Sequence, residues 1–322
     1  MRLPHTLYSR LCFIFPSGKD LIAALGSDNL DESIEIERLL ALGLPPISSR
    51  NALSVMLGIN LGFLWSLENR PSRYYRRFTI QKGMRHRIID APLVSLKIIQ
   101  KWIGFHLANA YLRPSHVFGF VPELSHIDAA KQHVGAEWVI SLDIRNFFQT
   151  TPLDLVSSSL ASIGYSDESA RLIARLACLR GFLAQGSPAS PVISNIAFSG
   201  IDLRLREIAD AYGCRLTRYA DDIVFSGHGE LPSDLLQNAI NVFDDSPWRV
   251  SIEKIRQDRL PGRLKVHGLL VHQERVRLTK GYRNKLRAYQ HLWSDDKIVD
   301  ADKARIRGHL LYSQQIDRAR ET

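Results

Sequence analysis

The sequence predicts an α+β fold in which short strands are interleaved with helices. Three observations carry that expectation. The apolar run Trp138-Val139-Ile140-Ser141-Leu142 reads as a buried strand and closes on Asp143. The runs Arg215 to Arg218 and Ile223 to Ser226 flank Tyr219-Ala220-Asp221-Asp222, which reads as a hairpin with two carboxylates at its tip. Helical spacing dominates both ends of the chain, and neither repeats nor low-complexity segments interrupt the pattern.

Taken in order, residues 1–70 read as helical and irregular. Ile34, Ile36, Leu39, Leu40 and Leu42 recur with roughly helical spacing, and Pro45-Pro46 ends that segment. Ser48 or Ser49 caps a second helix expected through Leu53, Leu57, Leu61 and Leu64. Residues 73–92 alternate as a hairpin about Lys82-Gly83, stopped by Pro92, and a helix is expected from Leu93 to Leu112. Ser166-Asp167-Glu168 is a helix start before Leu172, Ile173 and Leu176, with Gly181 as its C-cap. Gln185 to Pro191 is a loop by its Gly and Pro content and leads into a helical stretch through Ile193, Ile196 and Leu203. Short strands are expected between Val250 and Leu270. From Lys280 the chain reads as helix, with Leu286, Tyr289 and Trp293 on one face.

The 322 residues are 45% hydrophobic, enough for a sizeable core, and the length suggests two or three lobes. Lys and Arg outnumber Asp and Glu by 42 to 33, a net charge of +9 that favours nucleic acid or an anionic surface as partner. The charge is uneven: from Arg275 to Thr322 there are twelve Lys or Arg against six Asp or Glu. A second cluster is Arg73, Arg76, Arg77, Lys82, Arg85 and Arg87. Either cluster alone also reads as a solvated face. Cys12, Cys178 and Cys214 are few, odd in number and far apart, so neither a disulfide framework nor a zinc site is expected, and a reducing cytoplasm fits. No stretch approaches the ~18 apolar residues of a membrane span.

The acids carry the chemistry. Adjacent carboxylates repel each other, so a fold that holds Asp221 beside Asp222 usually does so around a cation. Asp143 supplies a third carboxylate from a second strand end. Taken singly, Asp221-Asp222 also makes a tight turn and Asp143 also caps a helix. Together the three match a two-magnesium phosphoryl-transfer site, in which paired cations stabilise the attacking oxygen and the leaving pyrophosphate. Asp143 and Asp221 are the expected shared ligands, with Asp222 secondary.

Four ordered segments resemble those of a reverse transcriptase, most closely the bacterial retron type. They are Arg87-Ile88-Ile89-Asp90-Ala91-Pro92, Ser141 through Phe148, Gln185-Gly186-Ser187-Pro188-Ala189-Ser190-Pro191, and Arg218-Tyr219-Ala220-Asp221-Asp222. The likeness spans about residues 70–275 and, more weakly, the remainder. It implies a right-hand polymerase: an N-terminal helical extension over 1–70, fingers over 71–136 and 150–200, palm over 137–149 and 201–275, and a helical thumb over 276–322. An antiparallel palm sheet would carry the three aspartates and two Mg2+ ions.

Residue by residue, the resemblance makes Phe148 the gate that rejects a ribose 2′-OH, since an apolar ring leaves no room or partner for a hydroxyl. Phe147 would pack in the core or pocket floor. Gln185 and Gly186 would support the templating pair and incoming nucleotide, the glycine by close backbone approach and the amide by hydrogen bonding. Arg87 would grip the triphosphate in a bidentate way, with Lys82 or Arg85 assisting. Lys254 stands where relatives place a lysine near the leaving pyrophosphate and would act as general acid, although an exposed strand lysine reads equally well. In the thumb, Arg283, Lys285 and Arg287 would contact phosphates and Tyr282 would stack or pack on sugars.

The resemblance further implies an RNA-directed DNA polymerase that binds its own structured noncoding RNA. It would prime from an RNA 2′-OH, copy part of that RNA from dNTPs into branched RNA–DNA, and serve in antiphage defence with a separately encoded effector. Three departures stand against the retron pattern. Ala129-Ala130-Lys131-Gln132-His133 lacks the usual Asn, Val266-His267-Gly268 replaces Val-Thr-Gly, and Asn146 replaces an Asp. His133 and His267 read as core or RNA-contacting residues rather than ligands. Two alternatives stay open: another bacterial reverse transcriptase, of group II intron or diversity-generating type, and a catalytically silent RNA-binding scaffold.

Overall fold

The computed structural model describes residues 4–26, 30–82, 85–295 and 298–318. Five helices open the chain, α1 (His5–Ser9), α2 (Gly18–Leu25), α3 (Leu30–Ala41), α4 (Arg50–Leu57) and α5 (Leu61–Asn69). The hairpin β1 (Tyr75–Lys82) and β2 (Arg85–Pro92) follows, then α6 (Val94–Ala110), α7 (His126–Lys131) and β3 (Trp138–Asp143). Next come α8 (Leu153–Ser162), α9 (Asp167–Ala177), the small hairpin β4 (Cys178–Leu179) and β5 (Phe182–Leu183), α10 (Ser190–Ala197) and α11 (Ser199–Ala211). The second half holds β6 (Arg215–Tyr219), β7 (Asp222–Gly227), α12 (Leu235–Asn241), β8 (Arg256–Arg259), β9 (Lys265–Val266), β10 (Leu269–Leu270), β11 (Arg277–Leu278), α13 (Lys280–Ser294) and α14 (Asp300–Arg318).

An antiparallel sheet of order β6-β7-β3-β8 forms the centre. Side chains alternate across a strand with period two. Trp138, Ile140 and Leu142 of β3 and Ile223 and Phe225 of β7 therefore enter one core with α11 and α12. Val139 and Val224 enter the opposite core, shared with α7, β9 to β11 and the two C-terminal helices. Both faces of β3 are covered, which is why its sequence is an almost unbroken apolar run. A third cluster joins α2 to α6 with α8, α9 and α10.

Local chemistry sets the helix boundaries. Ser49 caps α4, Asn60 caps α5, Ser166 caps α9 and Thr279 caps α13, each accepting from a backbone N–H of the first turn. Ser125 and Asp128 make a reciprocal capping box on α7. Among the described residues no helix is long and apolar enough to cross a membrane.

Several local expectations are corrected. The helix expected through Leu53 to Leu64 is two helices, because Gly58 adopts a left-handed φ of 65° and Asn60 starts a new one. Gly181 does not cap α9. That helix ends at Ala177, and Gly181, with Arg180, turns the β4–β5 hairpin. The stretch from Ile193 to Leu203 is likewise two helices meeting at Phe198. In α13, Leu286 is buried but Trp293 is 42% exposed, so the apolar face does not extend that far. The Gly83 turn lies outside the described residues, as do the side chains of Lys82 and Arg85.

Candidate active site

Strands β3 and β7 run antiparallel, and their register makes Asp143 and Asp222 direct Cα partners. Residues so opposed have Cβ atoms about 4.5–5.5 Å apart on one face of the sheet. Tyr219 and Asp222 close the neighbouring β6–β7 hairpin, leaving Ala220 and Asp221 as its two-residue turn. Ala220 holds φ 59° at the first turn position, where glycine is the usual occupant. The N–H of Ile144 donates to the carbonyl of Asp221 at 3.0 Å, tying the turn to the residue after Asp143.

The segment after β7 returns to the same point. The Ser251 N–H donates to the Asp143 carbonyl at 2.8 Å, and its hydroxyl donates to Asp143 Oδ1 at 3.2 Å. Lys254 Nζ donates to the same Oδ1. His267 Nδ1 lies 3.7 Å from Asp222 Oδ2. Burial pushes the Asp221 carboxyl above its ordinary value, and the charges of Asp222 and Asp143 push the same way against the Lys254 ammonium.

A cleft of about 840 Å3 opens over these groups. Its lining includes Asp143, Asp221, Asp222, Arg87, Phe148, Gln185 and Lys254, and also Asn146 and Tyr219. Phe147 packs on Phe198 and Trp248 beneath, while Phe148 is half-buried beside Phe120 at a ring distance of 5.7 Å. Gln185 is anchored twice: its carbonyl accepts from the Asp90 N–H at 2.9 Å and its side-chain oxygen accepts from Gln149 at 3.1 Å. Gly186 has φ 138°, and a Cβ there would stand 3.0 Å from the Asp90 carbonyl carbon, so the close approach of β2 requires glycine.

The residues fit a divalent metal of the hard, oxygen-loving kind. Among the described residues no three His, Cys, Asp or Glu side chains are gathered closely enough to hold a metal ion by themselves. Magnesium takes one or two carboxylates and completes its shell with water and substrate phosphates. The facing carboxylates of Asp143 and Asp222 are that kind of donor set, and the Lys254 ammonium on Asp143 Oδ1 shows that the site attracts a cation.

Comparison with known proteins decides the family. The model of the family described as reverse transcriptase (RNA-dependent DNA polymerase) matches residues 80–257. The chain belongs to the reverse transcriptase family. It is similar to the retron Mx65 reverse transcriptase of Myxococcus xanthus, 30% identical over 90% of this chain and 73% of that one. It is also similar to the retron Ec86 reverse transcriptase of Escherichia coli, 26% identical over 89% of this chain and 90% of that one. The enzyme is an RNA-directed DNA polymerase of retron type.

The reverse transcriptase keeps the basic residues of α13 apart from this cleft. Arg283, Lys285 and Arg287 are exposed along the helix, and Lys285 Nζ sits 5.4 Å from the centre of the Tyr289 ring. Tyr282 is turned inward. Its hydroxyl is hydrogen-bonded to His309 at 2.6 Å and its ring meets Tyr312 edge-on, so this half-buried side chain braces α13 against α14. His133 is wholly buried and hydrogen-bonded to Ser226 and Thr217, a core residue. Ser251, Phe120 and Gly119 escaped the sequence reading. Nothing local in the sequence marks them, because each acts across the fold.

Proposed function

We propose that this reverse transcriptase binds a cognate structured noncoding RNA and copies part of it into DNA from an RNA 2′-OH, giving branched RNA–DNA. The observation that carries the reading is the pairing of Asp143 with Asp222 beside the Asp221 turn, in one cleft with Arg87, Phe148 and Gln185. In this reading residues 71–136 and 150–200 are fingers, 137–149 and 201–275 palm, 276–322 thumb, and 1–70 an N-terminal extension.

Asp143 and Asp221 would hold two Mg2+ ions, with Asp222 assisting. The ions would supply charge stabilisation for the attacking and leaving oxygens. Arg87 grips the triphosphate, Gln185 and Gly186 present a floor to the base pair, and the Phe148 ring excludes a ribose hydroxyl. The attacking hydroxyl gives up its proton to water in the cleft as its oxygen bonds the α-phosphorus. The bond to the β-phosphate breaks, and pyrophosphate leaves with a proton from Lys254, which is recharged from solvent; Asp143 holds that ammonium at the site beforehand. Arg283, Lys285 and Arg287 follow the RNA backbone. A role in antiphage defence, with a separately encoded effector, completes the reading.

The test is the nucleic acid that co-purifies with the protein when it is expressed together with the DNA flanking its gene. A species sensitive to both DNase and RNase, resolved by debranching into two strands, is expected. Recovery of unbranched DNA, or of no DNA, contradicts it.

A further inference from the structure

We propose that the buried Arg218–Asp202 pair is a positioning element that sets the Asp221 carboxylate by gripping the turn that carries it. The inference rests on the assignment of Asp221 to the metal site made above. Both side chains are fully enclosed, at 0% exposure. Arg218 Nε and Nη2 donate to the two oxygens of Asp202 at 2.7 and 2.6 Å. Its remaining nitrogen, Nη1, donates to Asn195 Oδ1 at 3.0 Å and to the carbonyl of Ala220 at 3.1 Å. One planar fork therefore joins α11, α10 and the turn between β6 and β7.

The grip has a second jaw. Asn195 donates to the carbonyl of Gly119 at 3.0 Å, and the N–H groups of Phe118 and Gly119 donate to the Arg218 carbonyl at 2.8 and 3.3 Å. A Cβ on Gly119 would lie 2.7 Å from the Tyr219 carbonyl carbon, so the 117–120 segment lies flat against the turn. His116 Nε2 lies 3.4 Å from Asp202 Oδ1, and the Phe198 ring lies 4.8 Å from the guanidinium centre. Ala220 occupies a left-handed conformation that non-glycine residues keep only where their surroundings over-determine it. The Arg218 bond to its carbonyl is such a determinant, and the next residue is Asp221.

A buried ion pair adds little net stability relative to apolar residues of the same volume. Its distinctive property here is direction: a guanidinium fork fixes three partners at once. An ammonium at the same place keeps the charge beside Asp202 but cannot span all three.

The experiment uses the full chain with Arg218→Lys, with Asp221→Asn/Asp222→Asn as the reference for metal loss. Mn2+ alone is titrated and followed by electron paramagnetic resonance. Hydrogen exchange at the Ile144 amide, which bonds the Asp221 carbonyl, reports the turn directly. Arg218→Lys is expected to weaken the carboxylate-dependent Mn2+ binding about ten-fold, the effect of losing one charge-assisted hydrogen bond, and to speed Ile144 exchange. Unchanged Mn2+ binding and unchanged exchange overturn the proposal. If Arg218→Lys does not fold, Arg218→Met/Asp202→Leu, which leaves no charge unpaired, is read by the same two measurements. If Asp221→Asn/Asp222→Asn itself retains Mn2+ binding, the metal-site assignment fails and takes the proposal with it. Loss in that reference without loss in the Arg218 variants refutes the positioning role alone.

Discussion

Asp143 and Asp222 face each other where β3 and β7 run out into the cleft, and Asp221 sits in the adjoining turn under a hydrogen bond from Ile144. The period that sends Ile140 and Leu142 into one core sends Asp143 to the other face, so the acids meet because the strand pairing is antiparallel and in register. Three acids gathered in this way repel one another unless a cation joins them.

The first prediction follows from that repulsion. Asp221→Asn should raise the thermal midpoint of the metal-free protein by about 2 °C, as expected for roughly 1 kcal/mol in a chain of this size, while ending DNA synthesis. Differential scanning calorimetry in a chelator measures it. A lowered midpoint would show that the carboxylate is satisfied in the folded state and not strained by its neighbours.

Phe148 rests between Phe120 and Phe147 at the cleft wall. Phe148→Ala should increase ribonucleotide incorporation relative to deoxynucleotide by at least about ten-fold, since steric exclusion is the ring's only means of rejecting a hydroxyl. Competition between rNTP and dNTP on one template reads the ratio, and unchanged selectivity places the gate elsewhere.

The exposed cations of α13 lead to a prediction about salt. Replacing Arg283, Lys285 and Arg287 with Ala should weaken RNA binding and reduce the slope of log K against log salt by about two. Filter binding across a salt series measures this. An unaltered slope removes these residues from the RNA interface.

His133 is enclosed between Ser226 and Thr217, and burial drives its pKa down to about 3. Below about pH 6.5 the unfolded chain takes up a proton there that the folded chain refuses. Stability is therefore whole above that pH and declines as pH falls toward 3. His133→Gln, which keeps hydrogen bonding without the titration, should flatten the fall in melting temperature between pH 6.5 and 4.5. An equally steep fall in the variant assigns the acid sensitivity to other groups.

The sequence made some of this architecture legible and hid the rest for physical reasons. Trp138–Asp143 and the hairpin from Arg215 to Gly227 were readable because strand pattern and turn residues are local signals, and the acids stood at their ends. Periodicity predicts one helix through Leu53 and Leu64 because apolar spacing carries across Gly58, while the left-handed break depends on Gly58 and the Asn60 cap. Tyr282 reads as a binding aromatic in a basic helix, and its hydrogen bond to His309 of α14, 27 residues on, is a contact that helical spacing does not announce. The contact of Gly119 with the Tyr219–Ala220 turn and the fork from Arg218 to Asp202 and Asn195 join segments far apart in the chain. Periodicity has no way to announce such contacts.

The most direct measurement of the central claim is magnesium-dependent incorporation of labelled dNTP on an RNA template by the original protein and by Asp221→Asn/Asp222→Asn. The account predicts synthesis by the original, a loss of at least about a thousandfold in the variant, as removal of metal-holding carboxylates entails, and RNA affinity changed by no more than about two-fold. Synthesis persisting in the variant, with its RNA affinity intact, would contradict it.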